Sequence, residues 1–406
     1  MATGRRQIKI SWAILLLILV SVIFLAFHVV TLGKTWGPAF SGKIAIINSL
    51  GESVGGDFPL FYSASSLALA GEPASVYDLT RLKAKEKEIF GQDENYIWPY
   101  PPSFLLMVLP LSLVPYLAAL VIWFVITLLG FLTVVYRLAP NPLTLLLTLA
   151  FPGTFFNTLN THNGFFSAAL FGGGLLLLAR SPWIGGLLLG FMSYKPHLAV
   201  LIPVALIAAR QWRALAGAAI GALGLALASA LVLGPEVWGA FFKHLTSAVD
   251  LLERGGTTWL EKMPTVFAAA RLAGWGVTWA WGLQALMMIG IGVAVTYAWY
   301  SRASLPVRNS LLILGTLLFT AYAFVYDLVL LALPLAWLGW EGQNKGWLPG
   351  EQPALVLGWF MPMVLSFFRG AEFKVPVAPL VLVALFLLFA RRQYVERAGS
   401  SRSLQD

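Results

Sequence analysis

The stretch Pro182–Arg210, "PWIGGLLLGFMSYKPHLAVLIPVALIAAR", is long enough to cross a membrane once, or to enter it and return as a hairpin. The two possibilities give opposite topologies for every later segment. A single span puts Lys195 near the bilayer centre, at a cost of roughly 2.5–3.5 kcal/mol or more. It also sends Arg210, Arg213, Arg302, Arg308, Lys345, Arg391, Arg392, Arg397 and Arg402 outside. A hairpin broken at "YKPH" keeps the same nine charges in the cytoplasm, as the positive-inside rule requires. Pro196 favours the break, because it lacks an N–H and pushes Lys195 away from helical geometry. The hairpin is the expected arrangement.

Composition supports a membrane protein throughout. The 406 residues are 59% hydrophobic and 11% charged, with no cysteine and a formal net charge of +9. A soluble domain carries roughly a quarter charged residues, so most of this surface must face lipid. The basic residues sit mainly in short connections between apolar runs, which points to membrane topology and not to nucleic acid. Without cysteine there are no disulfides, thiolate metal sites or thiol nucleophile. The apolar run Trp12–Leu32 is longer than a signal-peptide core and lacks a small-x-small cleavage site. It reads as a first transmembrane helix, with Arg5, Arg6 and Lys9 on the cytoplasmic side.

Apolar segments recur at about 11–33, 115–136, 142–157, 165–179, 183–194, 197–209, 214–233, 278–299, 309–325, 327–339, 353–368 and 375–390. The expected fold is an all-α, polytopic integral membrane domain over residues 1–406, with about twelve transmembrane helices, some of them short, and both ends inside. A ~30 Å hydrocarbon core needs about 20 helical residues, so the short segments require adjoining helix, a thinned membrane or a water-filled cavity. The outer face collects the loops 34–102, 158–164, 194–197, 234–277, 326–327 and 369–374, while 391–406 is a cytoplasmic tail. Loop 34–102 should hold juxtamembrane helices at about Pro59–Ala70 and in "YDLTRLKAKEKEIFG". Within 234–277, "MPTVFAAARLAG" reads as a re-entrant or surface helix.

No Walker loop, dinucleotide-type glycine pattern, HExxH or GxSxG occurs, which argues against nucleotide-driven pumps and common hydrolases. Chemistry must come from polar residues of the outer loops. Asp57 in "GGDFPLFY" sits where an N-cap would, with Pro59 behind it, and local spacing favours the cap. The sharper possibility is a general base, which needs an ionised carboxylate within reach of a hydroxyl. Asp78 opens an amphipathic helix and takes the structural role. Lys195 and His197 flank Pro196; they are either a snorkelling lysine and an interfacial histidine or a lipid-phosphate site. "NTLNTHNG" brings His162 and Asn163 into a turn rich in hydrogen-bonding groups, which suits a sugar. Trp98 and Tyr100 are interfacial anchors or sugar-stacking rings. Tyr322, Tyr326 and Asp327 stand at the outer end of a helix pair, where an acid either caps its helix or serves a site. Lys243, His244, Arg254, Lys262 and Arg271 make 234–277 basic, fitting either anionic headgroups or a phosphate leaving group.

Taken in order, "GGDFPLFYSASSLALAGEPASVYD", "YPPSFLLMVLPLSLVP", "NGFFSAALFGGGLLLLARSPWIGGLLLGFMSYKPHLAVLIP" and "YAFVYDLVLLALPLAW" resemble the bacterial polyprenol-phosphate-mannose-dependent glycosyltransferases, glycosyltransferase family 87. The resemblance runs from about residue 50 to 340 and implies the C-type membrane glycosyltransferase fold. It implies transfer of a sugar, mannose above all, from a polyprenyl-phosphate donor on the outer face of the bacterial cytoplasmic membrane. The family's acid matches Asp57, its "KP" element Lys195 and Pro196, and its "YD" Tyr326 and Asp327. The sequence departs at "THNG", where Thr161 and His162 stand in place of the family's frequent Gly and Gln; this bears on sugar or acceptor choice.

The expectation is an inverting reaction with Asp57 as base, giving an α-linkage, with no cofactor and no metal required. Lys195, with one or more of Arg254, Lys262 and Arg369, would meet the phosphate. Tyr62, Tyr100, His162 and Asn163 would shape the pocket, with His197, Tyr326 and Asp327 as further substrate contacts. The partners are the lipid-linked donor, a glycolipid or glycan acceptor and membrane lipids, with no nucleic acid. A lipid-linked sugar flippase and a non-catalytic scaffold of an envelope-polysaccharide complex are the alternatives. The first predicts charges near the bilayer midplane and internal symmetry; the second, polar loops without a cavity.

Overall fold

Prolines cut the apolar sequence into short helices. The computed structural model describes residues 10–37, 53–92, 97–254, 256–367 and 377–402, and the described residues are helical with no β-strand. Helix α1 (Trp12–Thr35) starts at Ser11, whose hydroxyl accepts from the Ile14 N–H. Helices α2 (Phe58–Leu69), α3 (Leu79–Phe90) and α4 (Pro102–Val108) follow in the first expected outer loop or at its border. Next come α5 (Tyr116–Leu138) and the pair α6 (Pro142–Leu149) and α7 (Pro152–Asn160), bent by 57°. Helices α8 (Gly164–Leu177), α9 (Pro182–Phe191), α10 (Pro196–Ala208) and α11 (Trp212–Leu233) complete the first half. The second half contains α12 (Glu236–Arg254), α13 (Val266–Leu272), α14 (Val277–Tyr300) and α15 (Leu305–Phe319). A 3-10 stretch, Val325–Leu331, then runs into α16 (Ala332–Lys345), followed by α17 (Glu351–Phe367) and α18 (Val377–Arg402). Helices α2, α4, α6, α7, α9, α10 and α15 carry proline in the first turn, where its missing N–H costs no hydrogen bond.

The fate of Pro182–Arg210 follows from glycine contacts. Gly186 and Gly190 of α9 lie on Ala214 and Ala218 of α11, while Gly217 and Gly221 lie on Trp183 and Leu187. Residue numbers rise together along the contact, so α9 and α11 run parallel. The chain can reach the start of α11 from the end of α9 only by returning along α10. The segment is therefore a hairpin that turns at Lys195. A Cβ at Gly186 would stand 2.1 Å from the Ala214 carbonyl oxygen, and one at Gly190 2.2 Å from that of Ala218. Such backbone-to-backbone approach is how small residues bind membrane helices together.

The same logic sorts the other elements. Gly130 meets Ala169 and Gly172 meets Val134, so α5 and α8 are parallel, with the bent α6–α7 pair as the return. Helices α14 and α15 are antiparallel, with Gly315 against Ile291 and Val295 and the Trp299 indole N–H donating to the Arg308 carbonyl at 3.0 Å. Gly358 meets Leu385 and Gly350 meets Leu388, which makes α17 and α18 antiparallel. The element ends fall into two groups. One holds the turns around residues 53–57, 161–163, 195 and 320–327; the other holds Ser11, the 301–308 and 341–351 connections and the last turns of α18.

Among the described residues, six helices are long and apolar enough to cross a membrane, at Trp12–Gly37, Tyr116–Leu138, Trp212–Leu233, Val277–Tyr300, Val325–Lys345 and Val377–Ala398, or up to seven if the bent pair counts as one span. About twelve transmembrane helices, some of them short, were expected. Gly164–Leu177, Pro196–Ala208 and Leu305–Phe319 are apolar helices of 10–17 residues, too short for a ~30 Å core alone. In the loops expected on the outer face, α2 and α3 match the two expected helices, and "MPTVFAAARLAG" contributes only the seven-residue α13, whose Val266–Ala270 side chains are buried. The long helix α12 was read only as part of a loop; its apolar Val237, Trp238, Phe241, Phe242 and Leu245 recur at helical spacing among charges, the pattern of a helix lying on a surface.

Candidate active site

Asp57 is held by its backbone and free of its helix. Gly55 and Gly56 have φ values of 100° and 56°, a left-handed conformation open to glycine at little cost. A Cβ on Gly56 would stand 2.6 Å from the Asn160 Cα, so this turn lies directly on the end of α7. The Asp57 N–H donates to the Asn160 carbonyl at 2.9 Å, and the Tyr116 hydroxyl donates to the Val54 carbonyl. Asp57 occupies the N-cap position of α2, yet its side chain makes no capping hydrogen bond. Asp78 behaves as expected of a cap, its Oδ1 accepting from the Thr80 N–H at 2.8 Å and the Arg81 N–H at 3.3 Å.

The Asp57 carboxylate, 32% exposed, has its Oδ2 3.3 Å from His162 Nε2. Protein on most sides raises its pKa to about 6, with the Lys262 and Lys195 ammonium groups pulling the other way. His162 is buried and stacked on Tyr326, ring centroids 3.3 Å apart and planes inclined by 17°. Burial, and then the Lys195 charge, hold its pKa well below the ordinary value, so the ring is neutral.

Beyond Tyr326, Lys195 Nζ lies 4.7 Å from that ring and 2.7 Å from Asp327 Oδ1, with both charged side chains 1% exposed. Asp327 Oδ2 accepts from the Phe324 N–H at 3.0 Å, so this acid is both cap and ion-pair partner. Lys195 was expected to meet a lipid phosphate; in the structure its charge is met by Asp327 and its ammonium is closed off from solvent. Lys262 is exposed, and its carbonyl accepts from the Val325 N–H at 2.9 Å. That bond ties the 257–263 connection to the Tyr326–Asp327 turn.

The other expected residues divide. Tyr100 is buried in a ring cluster with Phe61, Trp98 and Phe104, and its phenol feels the charges of Asp57 and Asp327, so it belongs to the site. His197 packs edge-on to Tyr322, centroids 5.4 Å apart; burial lowers its pKa to about 4. Asn163 lies behind His162 and is fully buried, so it supports the ring and does not line an open pocket. The Tyr62 hydroxyl donates to the Val114 carbonyl at 3.0 Å and its ring packs on Tyr116. Trp98 is 1% exposed and stacked on Phe104, a core residue and not an interfacial anchor. The Arg254 side chain and Arg369 lie outside the described residues.

Two supports were not foreseen. Asn157 donates to the Tyr326 carbonyl at 2.7 Å, and Gly164, where a Cβ would stand 2.7 Å from that same oxygen, allows the approach. The Tyr194 hydroxyl lies 2.6 Å from Ser167 Oγ and 3.3 Å from the Asn163 carbonyl, to which it donates. Two apolar cavities, of about 480 and 490 Å³, flank α1 and are lined by Ile14, Leu17 and Trp359 and by Phe24, Phe27 and Phe155 respectively. Asp57 lines neither of them.

The arrangement offers a half-buried carboxylate of raised pKa, a neutral histidine beside it, a buried ion pair behind and an exposed ammonium nearby. The model of glycosyltransferase family 87 matches residues 98–323. Asp57, Tyr326 and Asp327 lie outside the matched residues and reach the site through the fold. No curated protein and no solved structure matches.

Proposed function

The chain belongs to glycosyltransferase family 87, and on that premise we propose that this membrane glycosyltransferase uses a polyprenyl-phosphate sugar, mannose first among the candidates, with Asp57 as the base. The observation that carries the proposal is the Asp57 carboxylate itself. It stands at a helix start without capping it, open on one side, with a pKa raised to about 6. That value suits a general base working near neutral pH. A scaffold has no use for an acid held off its own helix in this way.

In the reaction, Asp57 takes the proton of an acceptor hydroxyl while the hydroxyl oxygen attacks the anomeric carbon. The new C–O bond forms as the bond to the donor phosphate oxygen breaks, and polyprenyl phosphate leaves as a stable anion. A single displacement inverts the centre, so a β-linked donor yields an α-linked product. The leaving anion needs cationic company; Lys262, exposed and close enough to influence Asp57, is the best placed of the described lysines and arginines. With that charge supplied, the chemistry requires no metal. The acceptor is a glycolipid or glycan at the same membrane face.

The bundle end opposite the site gathers Arg302, Arg308, Lys345, Arg391, Arg392 and Arg397, which supports placing that end in the cytoplasm and the site outside. The test is purified Asp57→Asn enzyme with a lipid-phosphate mannose donor and a membrane-extract acceptor, product read by mass spectrometry. Turnover should fall by roughly 10²–10⁴-fold, and wild-type kcat/KM should decline as pH drops through about 6. Near-normal turnover of a folded Asp57→Asn enzyme overturns the assignment.

A further inference from the structure

The His162 ring is held on one face, by an edge contact and at Nδ1. One face stacks on Tyr326 at 3.3 Å between centroids, and the Phe61 ring meets it edge-on at 5.9 Å. Its Nδ1 accepts from the Asn163 backbone N–H at 2.9 Å. The Asn163 side-chain oxygen also stands 2.9 Å from Nδ1. Turning that amide over brings its otherwise unpartnered NH2 to the same place; both neighbours then donate to Nδ1, and in the neutral imidazole the proton sits on Nε2. Nε2 lies 3.3 Å from Asp57 Oδ2, just beyond ordinary hydrogen-bond length; contacts of this kind tighten once substrate fills a site. The groups around the ring and its neighbours are Asp57 at the start of α2, Tyr100 ahead of α4, Lys195 at the α9–α10 turn, and Tyr326 and Asp327 of the 3-10 stretch, with Lys262 near enough to act on Asp57.

We propose that His162 is a positioning residue: its Nε2–H holds Oδ2 of Asp57, leaving Oδ1 to face the acceptor hydroxyl. The proposal rests on Asp57 being the base. Asp57 has its main chain fixed by the Asn160 carbonyl but no capping bond to fix its side chain. Without His162 the carboxylate can rotate. A donor aimed at a carboxylate also favours its ionised form, so His162 keeps Asp57 unprotonated to a lower pH than the surrounding protein alone would allow. The ring carries no proton away: the acceptor proton arrives on Asp57 Oδ1 and stays there until product leaves.

The test compares His162→Phe, which keeps the stack on Tyr326 but has no donor, with His162→Gln, whose amide can donate to the same oxygen. Asp57 is titrated without turnover, by difference infrared spectroscopy of the carboxyl band, with Asp57→Asn identifying the band. The Phe variant should raise the Asp57 midpoint by about one pH unit, and the Gln variant should return it towards the wild-type value. Turnover should fall roughly 10–100-fold in the Phe variant, with the acid limb moved to higher pH, and recover most of the loss in the Gln variant. An unmoved midpoint in the folded Phe variant, or identical behaviour of Phe and Gln, overturns the proposal. If the midpoint moves as expected while Asp57→Asn retains turnover, the hold of His162 on Asp57 stands and the base assignment is what fails.

Discussion

Lys195 and Asp327 show how a residue's meaning changes when its partner is known. Alone, a lysine next to Pro196 suggested a phosphate ligand; paired at 2.7 Å with both side chains 1% exposed, it is a buried strut behind Tyr326. Removing one member of such a pair leaves an uncompensated charge and costs about 3–5 kcal/mol. Lys195→Met and Asp327→Leu should therefore each destabilise the protein strongly in thermal unfolding in detergent. The double variant should recover much of that loss, because both charges leave together; a double variant no more stable than either single one contradicts a paired role. Asp57 and Asp78 were separable from sequence, since only Asp78 opens an amphipathic helix. That His162 faces Asp57 was not, because 105 positions separate them in the chain. The partner of Tyr62 was hidden for a similar reason: nothing near it in the chain announces the Val114 carbonyl that takes its hydroxyl.

At the scale of elements, the α9–α11 contact governs where Lys195 stands. Gly190 has the Ala218 carbonyl oxygen 2.2 Å from where a Cβ would sit, whereas Gly224 on α11 has nothing within 4 Å. Gly190→Ala should push the helices apart and cost about 1–3 kcal/mol by overpacking. Gly224→Ala should be neutral or stabilising by up to ~1 kcal/mol, as expected for a helix interior. Equal melting temperatures for the two variants would show that the contact does not matter. The break at Lys195 and Pro196 was legible because proline acts locally through its missing N–H and its effect on the preceding residue. Helix α12 was passed over because attention to topology grouped Glu236–Arg254 with its loop, although its amphipathic spacing was present.

For the whole molecule, the chain's lack of cysteine makes orientation measurable with single introduced thiols. Lys87→Cys on α3, at the site end, should react with an impermeant maleimide added outside intact spheroplasts. Ser304→Cys between α14 and α15, at the opposite end, should react only after lysis. The reverse pattern overturns the proposed placement of the site.

Composition, the spacing of apolar runs and the position of prolines determined, from sequence alone, that this is a helical membrane protein with a hairpin at Lys195. Those signals are local, set by helix length against bilayer thickness and by the backbone limits of proline. Only the tertiary structure decided that six or seven helices among the described residues are long enough to span. It alone brought Asp57, His162, Tyr326, Lys195 and Asp327 together from four parts of the chain. Such a cluster depends on contacts between distant segments, here the Gly56–Asn160 and Gly164–Tyr326 approaches, and no local propensity encodes which distant surface a glycine will meet.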